Sequence, residues 1–185
     1  MKKLISLVLA LAMVACVAAG CAPTNNDNNN DETPTVQNYA GTMEELLGKI
    51  TTEEPAEIMG GMAMSLDLSA ENADLEWQIQ SYTGLTSASD LSDVAIFESM
   101  VGSIAFSIVA VRVNEGVDAK TVGEAMKNGI DTRKWICVTA DELIVAGYGD
   151  VVLLVMLDSN LGMSAQSFVD AFKTVVGADL SFTLN

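Results

Sequence analysis

Residues 142–157 read ELIVAGYGDVVLLVML, and this stretch decides the fold. Two runs rich in aliphatic residues, 142–146 and 151–157, flank the turn-forming segment Gly147-Tyr148-Gly149-Asp150. Apolar runs of this length that are separated by a short segment containing glycine are typical of a β-hairpin. We therefore predict two antiparallel strands here, with the rest of the domain built around them.

Three other segments are predicted to be β-strands. Residues 75–80 alternate strictly between apolar and polar side chains, as expected of a half-buried strand. Residues 93–100 and 104–113 are predicted as two further strands. Together with the hairpin, these segments predict an antiparallel sheet.

Four segments have the pattern of helices. The first covers 42–50 and starts with the residues of a capping box, and the second, 54–64, is weakened by a glycine pair. A third helix follows Asp118 as its N-cap, and the last one follows Ser164 and stops at Gly177. We expect an α+β fold, in which an antiparallel sheet has helices packed on one face.

The first 21 residues have the order of a bacterial secretory signal. A basic start is followed by the uncharged apolar run 4–17 and then by Ala18-Ala19-Gly20-Cys21. This last segment resembles a lipobox, although leucine is usual at its first position. The apolar run is shorter than the ~20 residues that are needed to span a bilayer. We predict a signal peptide over residues 1–20 and a lipid anchor on Cys21.

Two alternatives to this anchor exist. Cys16 ends a weaker lipobox-like segment, and ordinary secretion would leave a free cysteine at position 21. Cys21 is preferred because the sequence turns polar directly after it. Residues 21–38 are then the lipidated cysteine and an Asn-rich disordered linker, and residues 39–185 form one domain on the extracytoplasmic face of the cell membrane.

Charge and composition exclude several classes of function. Without Lys2 and Lys3, the mature side chains carry 7 Lys+Arg and 25 Asp+Glu, so that 7 − 25 = −18. This balance argues against nucleic acid as a partner and against a domain that lies on anionic lipid. The chain has no histidine, which removes the usual general base and most zinc sites. Cys137 stands in an apolar run and is predicted to be buried.

Several motifs suggest chemistry but have a simpler interpretation. Ser164 stands between a strand and a helix like a catalytic serine, yet no histidine exists to activate it, and we predict a helix N-cap. Gly147-Tyr148-Gly149 lacks the third glycine of a dinucleotide site and joins two strands. Residues 27–31 lack the glycine and the flanking helices of a calcium loop.

Three pairs of carboxylates are candidates for acid–base chemistry, namely Glu53 with Glu54, Asp90 with Asp93, and Asp141 with Glu142. Such chemistry needs one carboxyl group of a pair in an apolar pocket that raises its pKa. All three pairs lie in polar sequence. We therefore predict that they belong to the solvated surface.

Methionines cluster at residues 59–64, which read MGGMAM. Thioethers are soft ligands, and a group such as Met59, Met62 and Met64 is able to bind Cu(I). Methionine also fills irregular gaps in a core, and the adjacent glycine pair is flexible. Weak Cu(I) binding is therefore kept as an alternative, and no catalytic, cofactor or metal residue is assigned.

Residues 104–176 contain an apolar strand, a charged turn at 112–116, a capped helix, the hairpin and a last helix. Behind a lipobox and a polar linker, this order resembles a family of small lipoproteins of Gram-positive bacteria that carry a domain of unknown function. The resemblance covers most of residues 40–176. It implies an envelope location and a small α+β domain, and it brings no catalytic residues.

These features predict a membrane-anchored extracytoplasmic lipoprotein that acts as a non-catalytic binding or interaction module. Its expected partners are the membrane, through the anchor, and an envelope protein or small ligand. Exposed aromatic side chains such as Tyr82 or Tyr148 would favour binding. The alternative is an envelope hydrolase that uses carboxylates alone, with two carboxyl groups about 5–9 Å apart in a deep cleft.

Overall fold

The computed structural model describes residues 38–51, 61–69 and 73–185. The features predicted outside these ranges are the signal peptide, Cys16, Cys21, the linker up to residue 37, most of the helix at 54–64, and the side chains of Glu53, Glu54 and Met59. Within the described ranges, no helix is long and apolar enough to cross a membrane.

The described residues form an α+β fold, as predicted. Its helices are α1 (Met43–Ile50), α2 (Ala73–Thr83), α3 (Ala119–Gly129) and α4 (Ala165–Val176). Its strands are β1 (Met64–Ser65), β2 (Leu91–Glu98), β3 (Phe106–Val113), β4 (Glu142–Tyr148), β5 (Val151–Leu157) and β6 (Phe182–Leu184). They make one sheet in the order β1-β2-β3-β5-β4-β6, and all neighbours in it are antiparallel.

The hairpin that decides the fold is confirmed. Strands β4 and β5 pair along their whole length, from Glu142 opposite Leu157 to Tyr148 opposite Val151. Only Gly149 and Asp150 remain as the turn, and Gly149 has a φ of 58°, which suits glycine. The predicted strands at 93–100 and 104–113 are confirmed as β2 and β3, with shifts of two residues at some ends.

The prediction that helices cover one face of the sheet is wrong. Helices α1 and α4 pack on one face, over a core that includes Phe97, Phe106 and Leu153. Helices α2 and α3 pack on the other face, over Val109 and Leu154. The reason is that every residue of β5 is buried, so both of its faces need a cover.

The predicted strand at 75–80 is a helix, α2. Alternation would put Leu75, Trp77 and Ile79 on one side of a strand. In the helix Ile79 is fully buried while Trp77 is 64% exposed, because the buried positions Ile79 and Thr83 are four residues apart. Six alternating residues are too few to distinguish the two-residue period of a strand from the 3.6-residue period of a helix.

The predicted helix caps are confirmed. Thr42 and Glu45 form a capping box at α1, and the carboxylate of Asp118 accepts hydrogen bonds from the first turn of α3. Ser164 caps α4 through the backbone N–H of Ser167, and Gly177 ends that helix with a φ of 70°. These side chains satisfy backbone groups that the helix ends leave unpaired. The second predicted helix does not reach its expected end, because Met64 belongs to β1.

Candidate functional site

At one end of the sheet, Arg112 at the end of β3 holds the start of the domain. Its guanidinium pairs with Asp150 in the β4–β5 turn at 2.7 Å. It also donates hydrogen bonds to the carbonyl oxygens of Tyr39 (2.9 Å) and Gly41 (2.6 Å). The segment that leads back to the predicted anchor therefore joins the domain at this end, which we call the tether end.

The opposite end of the sheet contains a half-buried ion pair that the sequence did not reveal. Lys134 lies 3.1 Å from Glu98, at the end of β2, and the two side chains are 11% and 17% exposed. The ammonium group is also 4.8 Å from the ring centre of Tyr82 and 5.2 Å from that of Trp135. The faces of aromatic rings attract a positive charge, so these contacts stabilise the ammonium group.

Burial lowers the pKa of Lys134 below its usual range, and the charge of Glu98 opposes this shift. Lys134 donates to the carbonyl oxygen of Ser81 at 3.2 Å and to Oγ of Ser107 at 3.5 Å. The side chain of Ser107 is fully buried, so a substrate has no access to it as a nucleophile. The lysine instead fixes the loop at 130–141 against β2 and β3.

Large apolar side chains are exposed at this end of the sheet, and we call six of them the apolar patch. They are the large apolar residues that are exposed in the described part of the chain: Met62 (72%), Met64 (46%), Trp77 (64%), Met100 (75%), Val101 (48%) and Ile136 (74%). Exposed apolar side chains that are scattered singly need no explanation, whereas a group of them marks an interaction surface.

The backbone brings the patch together. Trp77 and Lys134 line one shallow cavity of about 250 Å³. Ile136 follows Lys134 by two residues, and its backbone N–H donates to the carbonyl oxygen of Gly102 at 3.0 Å. Met100 and Val101 precede Gly102 directly. The patch residues thus come from three separate segments and from a fourth, Met62 and Met64, beside β2, and only the folded chain brings them to the same end of the sheet.

Two expectations about single residues are wrong. Tyr148 is buried, at 8% exposure, and Tyr82 is half-buried under Lys134, so the exposed aromatic side chain of this surface is Trp77. Cys137 is exposed and not buried. Cys137 has a left-handed φ of 64°, and the run 135–138 is a loop in which Trp135 and Val138 pack against the core while Ile136 and Cys137 are exposed.

Of the carboxylates that were candidates for acid–base chemistry, Asp93, Asp141 and Glu142 accept hydrogen bonds at the starts of helices. Asp93 accepts a hydrogen bond from the backbone N–H of Met43 at the start of α1, at 2.9 Å. Glu142 accepts one from the N–H of Ala165 at the start of α4, at 2.6 Å. Negative charge at these positions is favourable because a helix N-terminus carries a partial positive charge.

Asp141 has a comparable role at the short 3₁₀-helix Ser159–Leu161. Its carboxylate accepts hydrogen bonds from Oγ and from the backbone N–H of Ser159, both at 2.7 Å. These bonds lower the pKa of Asp141 from its usual value of 3.8. Both bonds thus hold the carboxylate against Ser159. Its pKa is shifted downwards, whereas a general acid needs a raised pKa.

This shift predicts a specific sensitivity to acid. A lowered pKa stabilises the fold above pH 3.8, and that contribution is lost as the pH falls through the folded-state value. We expect the free energy of unfolding of Asp141→Asn to fall less steeply than that of the wild type as the pH drops below about 4. Urea unfolding at a series of pH values would measure this difference. Ser159→Ala should reduce the loss of stability in acid to a smaller extent, because the backbone N–H of residue 159 still donates to Asp141, and an acid profile of Asp141→Asn as steep as that of the wild type would contradict the linkage.

No group of three His, Cys, Asp or Glu side chains that could hold a metal ion lies together in residues 38–51, 61–69 and 73–185. Of the predicted methionine cluster, Met62 and Met64 are exposed on the apolar patch, and Met59 lies outside the described residues.

No protein-family model matches this chain. No curated protein and no solved structure matches it either. The resemblance to the lipoproteins of Gram-positive bacteria stays a prediction.

Proposed function

We propose that this protein is a lipid-anchored extracytoplasmic binding module that docks a partner protein on its apolar patch. The observation that carries the proposal is the grouping of the exposed large apolar side chains at one end of the sheet. The remaining large apolar residues of this sheet are packed into two buried cores, one on each face. Incomplete burial therefore does not account for the patch.

The position of the patch favours a partner away from the anchoring membrane. Arg112 holds the tether end, and Met100 and Val101 lie beyond the other end of β3, where Ser107 pairs with Glu98. The strand has eight residues. At ~3.3 Å per residue it spans roughly 25 Å. The patch therefore lies roughly 25 Å from the residues at which the predicted linker joins the domain.

The charge of the domain favours a basic partner. The mature side chains carry 7 − 25 = −18 charges, so long-range attraction favours a protein surface with Lys and Arg around an apolar centre. Anionic lipid would be repelled by the same field. Three of the six patch residues are methionines, whose flexible side chains adapt to the shape of a partner.

The test compares the wild-type protein with the triple variant Met100→Asp, Val101→Asp and Ile136→Asp. All three positions are exposed, so the fold should be retained while the apolar contact is lost. With processed protein in detergent, we expect the wild type to capture one or more envelope proteins that the variant loses, by at least about tenfold. The captured proteins should be released by salt, because opposite charges contribute to the encounter.

A matched control adds the same charge elsewhere. Thr174, Ala178 and Thr183 are exposed and lie outside the patch, so their replacement by Asp should leave capture unchanged. Equal capture by the wild type and the patch variant would contradict the proposal. So would binding of the unlipidated Cys21→Ala protein to phospholipid vesicles in a way that depends on the patch, because the occupant would then be lipid.

A further inference from the structure

A shallow cavity of about 250 Å³ lies where the ends of helices α2 and α3 meet. Six residues line it: Trp77, Gln80, Ser81, Gly129, Asp131 and Lys134. The first three belong to α2, and they share one face of that helix because their positions are three and four residues apart. The other three come from the end of α3 and from the loop that follows it. The cavity thus combines an aromatic side chain with several polar groups.

Two contacts fix the walls of the cavity against each other. A Cβ at Gly129 would collide with the backbone of Gly84, which follows α2 directly, so the two helix ends touch through their backbones. Lys134 donates to the carbonyl oxygen of Ser81 at 3.2 Å and thereby holds the loop after α3 against α2. A site whose walls are already fixed loses little conformational entropy when a ligand binds.

The polar groups of the cavity keep hydrogen-bonding capacity for a ligand. Among the described residues, neither the side-chain amide of Gln80 nor the hydroxyl of Ser81 has a hydrogen-bond partner. Oδ1 of Asp131 accepts from the backbone N–H of Arg133 at 2.8 Å, which orients the carboxylate and uses one of its two oxygens. An amide, a hydroxyl and a carboxylate together offer both donors and acceptors.

Trp77 supplies the apolar wall of the cavity. Its side chain is 64% exposed, so a ligand in the cavity has access to the ring. An aromatic side chain beside a small number of fixed polar groups is the usual composition of a site for a small molecule.

The charges at the cavity favour a neutral ligand. Lys134 brings an ammonium group to the wall, which opposes a cation, and Glu98 balances its charge at 3.1 Å. Asp131 and the excess of acidic side chains in the domain oppose an anion.

We infer that this cavity binds one ring of a neutral saccharide. A pyranose ring has a face of C–H groups, which packs on an aromatic ring, and a rim of hydroxyl groups, which donate and accept hydrogen bonds. Trp77 contacts the face, and the polar side chains from both walls bind the hydroxyl groups. The volume is below the roughly 300–1,000 Å³ of pockets for larger ligands, so it suits a single ring. This activity goes beyond docking, because it depends on hydrogen bonds in a cavity and not on apolar area.

The test is saturation-transfer NMR on the processed protein, in a detergent without a sugar headgroup. The probes are glucose, galactose, mannose and N-acetylglucosamine, which differ in the orientation or substitution of single hydroxyl groups. We expect saturable binding of at least one of them with a millimolar Kd, since one small ring makes few contacts. Trp77→Ala should weaken this binding by at least about tenfold, and Gln80→Ala and Asp131→Ala by roughly three- to tenfold each.

Gln78→Ala is the matched control, because Gln78 lies on the same helix but outside the cavity, and it should bind the sugar like the wild type. Trp77→Tyr keeps an aromatic ring and should retain more affinity than Trp77→Ala. The triple aspartate variant of the apolar patch should still bind the sugar, and Gln80→Ala should still capture the partner protein. Failure of the sugar site is therefore distinguishable from failure of the docking surface.

The methyl glycoside of the bound sugar identifies the source of the ring. Equal binding of the sugar and its glycoside would assign the site to the end of a glycan chain, because the methyl group imitates the linkage. Loss of binding with the glycoside would assign it to a free sugar whose anomeric hydroxyl contacts the protein.

Three outcomes would overturn the inference. The first is the absence of saturable binding for all of these sugars. The second is a sugar that the wild type, Trp77→Ala and Gln80→Ala bind equally well. The third is binding of tetramethylammonium that is stronger than that of any sugar and is lost in Trp77→Ala, because the ligand would then be a cation.

Discussion

Replacing Cys21 with alanine is expected to move the protein from the membrane fraction to the medium, or to leave the precursor uncleaved. The physical reason is partition of the lipid: each buried methylene contributes about 0.8 kcal/mol, and two acyl chains hold a protein stably where one does not. A diacylglyceryl group on Cys21 would supply two chains. Fractionation of cells, followed by detection of the protein in membrane and medium, measures the effect.

The described residues contain no second candidate for a membrane-spanning anchor. The helices of these residues are not long and apolar enough to cross a membrane. The excess of acidic side chains opposes adsorption to anionic lipid. Full retention of normally processed Cys21→Ala in the membrane fraction would show that the lipobox interpretation is wrong.

Cys16→Ala is the matched control for the anchor. Cys16 lies inside the predicted signal peptide, so its replacement should change neither the processing nor the location of the protein. A strong effect of Cys16→Ala together with a weak effect of Cys21→Ala would move the anchor to position 16.

Replacing Arg112 with methionine is expected to lower the free energy of unfolding by about 3 kcal/mol. The guanidinium contacts Asp150 and the carbonyl oxygens of Tyr39 and Gly41, and Oδ1 of Asp150 already has no partner among the described residues. The variant leaves a carboxylate, which is 19% exposed, without its cation. Urea unfolding followed by circular dichroism measures the loss.

Two comparisons test the cause of this loss. Lys173 pairs with Asp179 at 2.6 Å, but these side chains are 53% and 93% exposed, so Lys173→Met should cost much less stability than Arg112→Met. Adding Asp150→Asn to Arg112→Met should recover part of the stability, because it removes the unpaired charge. A loss in Arg112→Met no larger than that in Lys173→Met would show that the clamp at the tether end contributes little.

Much of the fold was predictable because it follows from local pattern. The hairpin, β2, β3 and the helices after Asp118 and Ser164 were all predicted, since turn formers, caps and apolar runs act within a few residues. Helix α2 was not predicted, because a short alternating segment fits both the period of a strand and that of a helix. Strand β6 was not predicted either, since its three residues pair with β4 only in the folded chain.

The candidate site was less predictable than the fold. Trp77, Glu98 and Lys134 are far apart in the sequence, Met100 follows Glu98 by two residues, and none of the four belongs to a recognisable motif. Their grouping depends on the register of β1 against β2 and on the loop that Lys134 fixes. Cys137 was also mispredicted, because its apolar neighbours predicted burial, whereas the residue is exposed in a loop with a left-handed backbone.

By itself, the sequence determined the hairpin, strands β2 and β3, the capped helices α1, α3 and α4, the acidic balance and the absence of histidine, and it predicts an anchor at Cys21. These are properties of composition and of neighbouring residues, so they do not depend on long-range contacts. Only the tertiary structure decided that helices cover both faces, that Arg112 holds the tether end, and that the apolar patch lies at the opposite end. Those features depend on strand pairing between distant segments, because burial and exposure belong to the assembled sheet and not to any single segment of the chain.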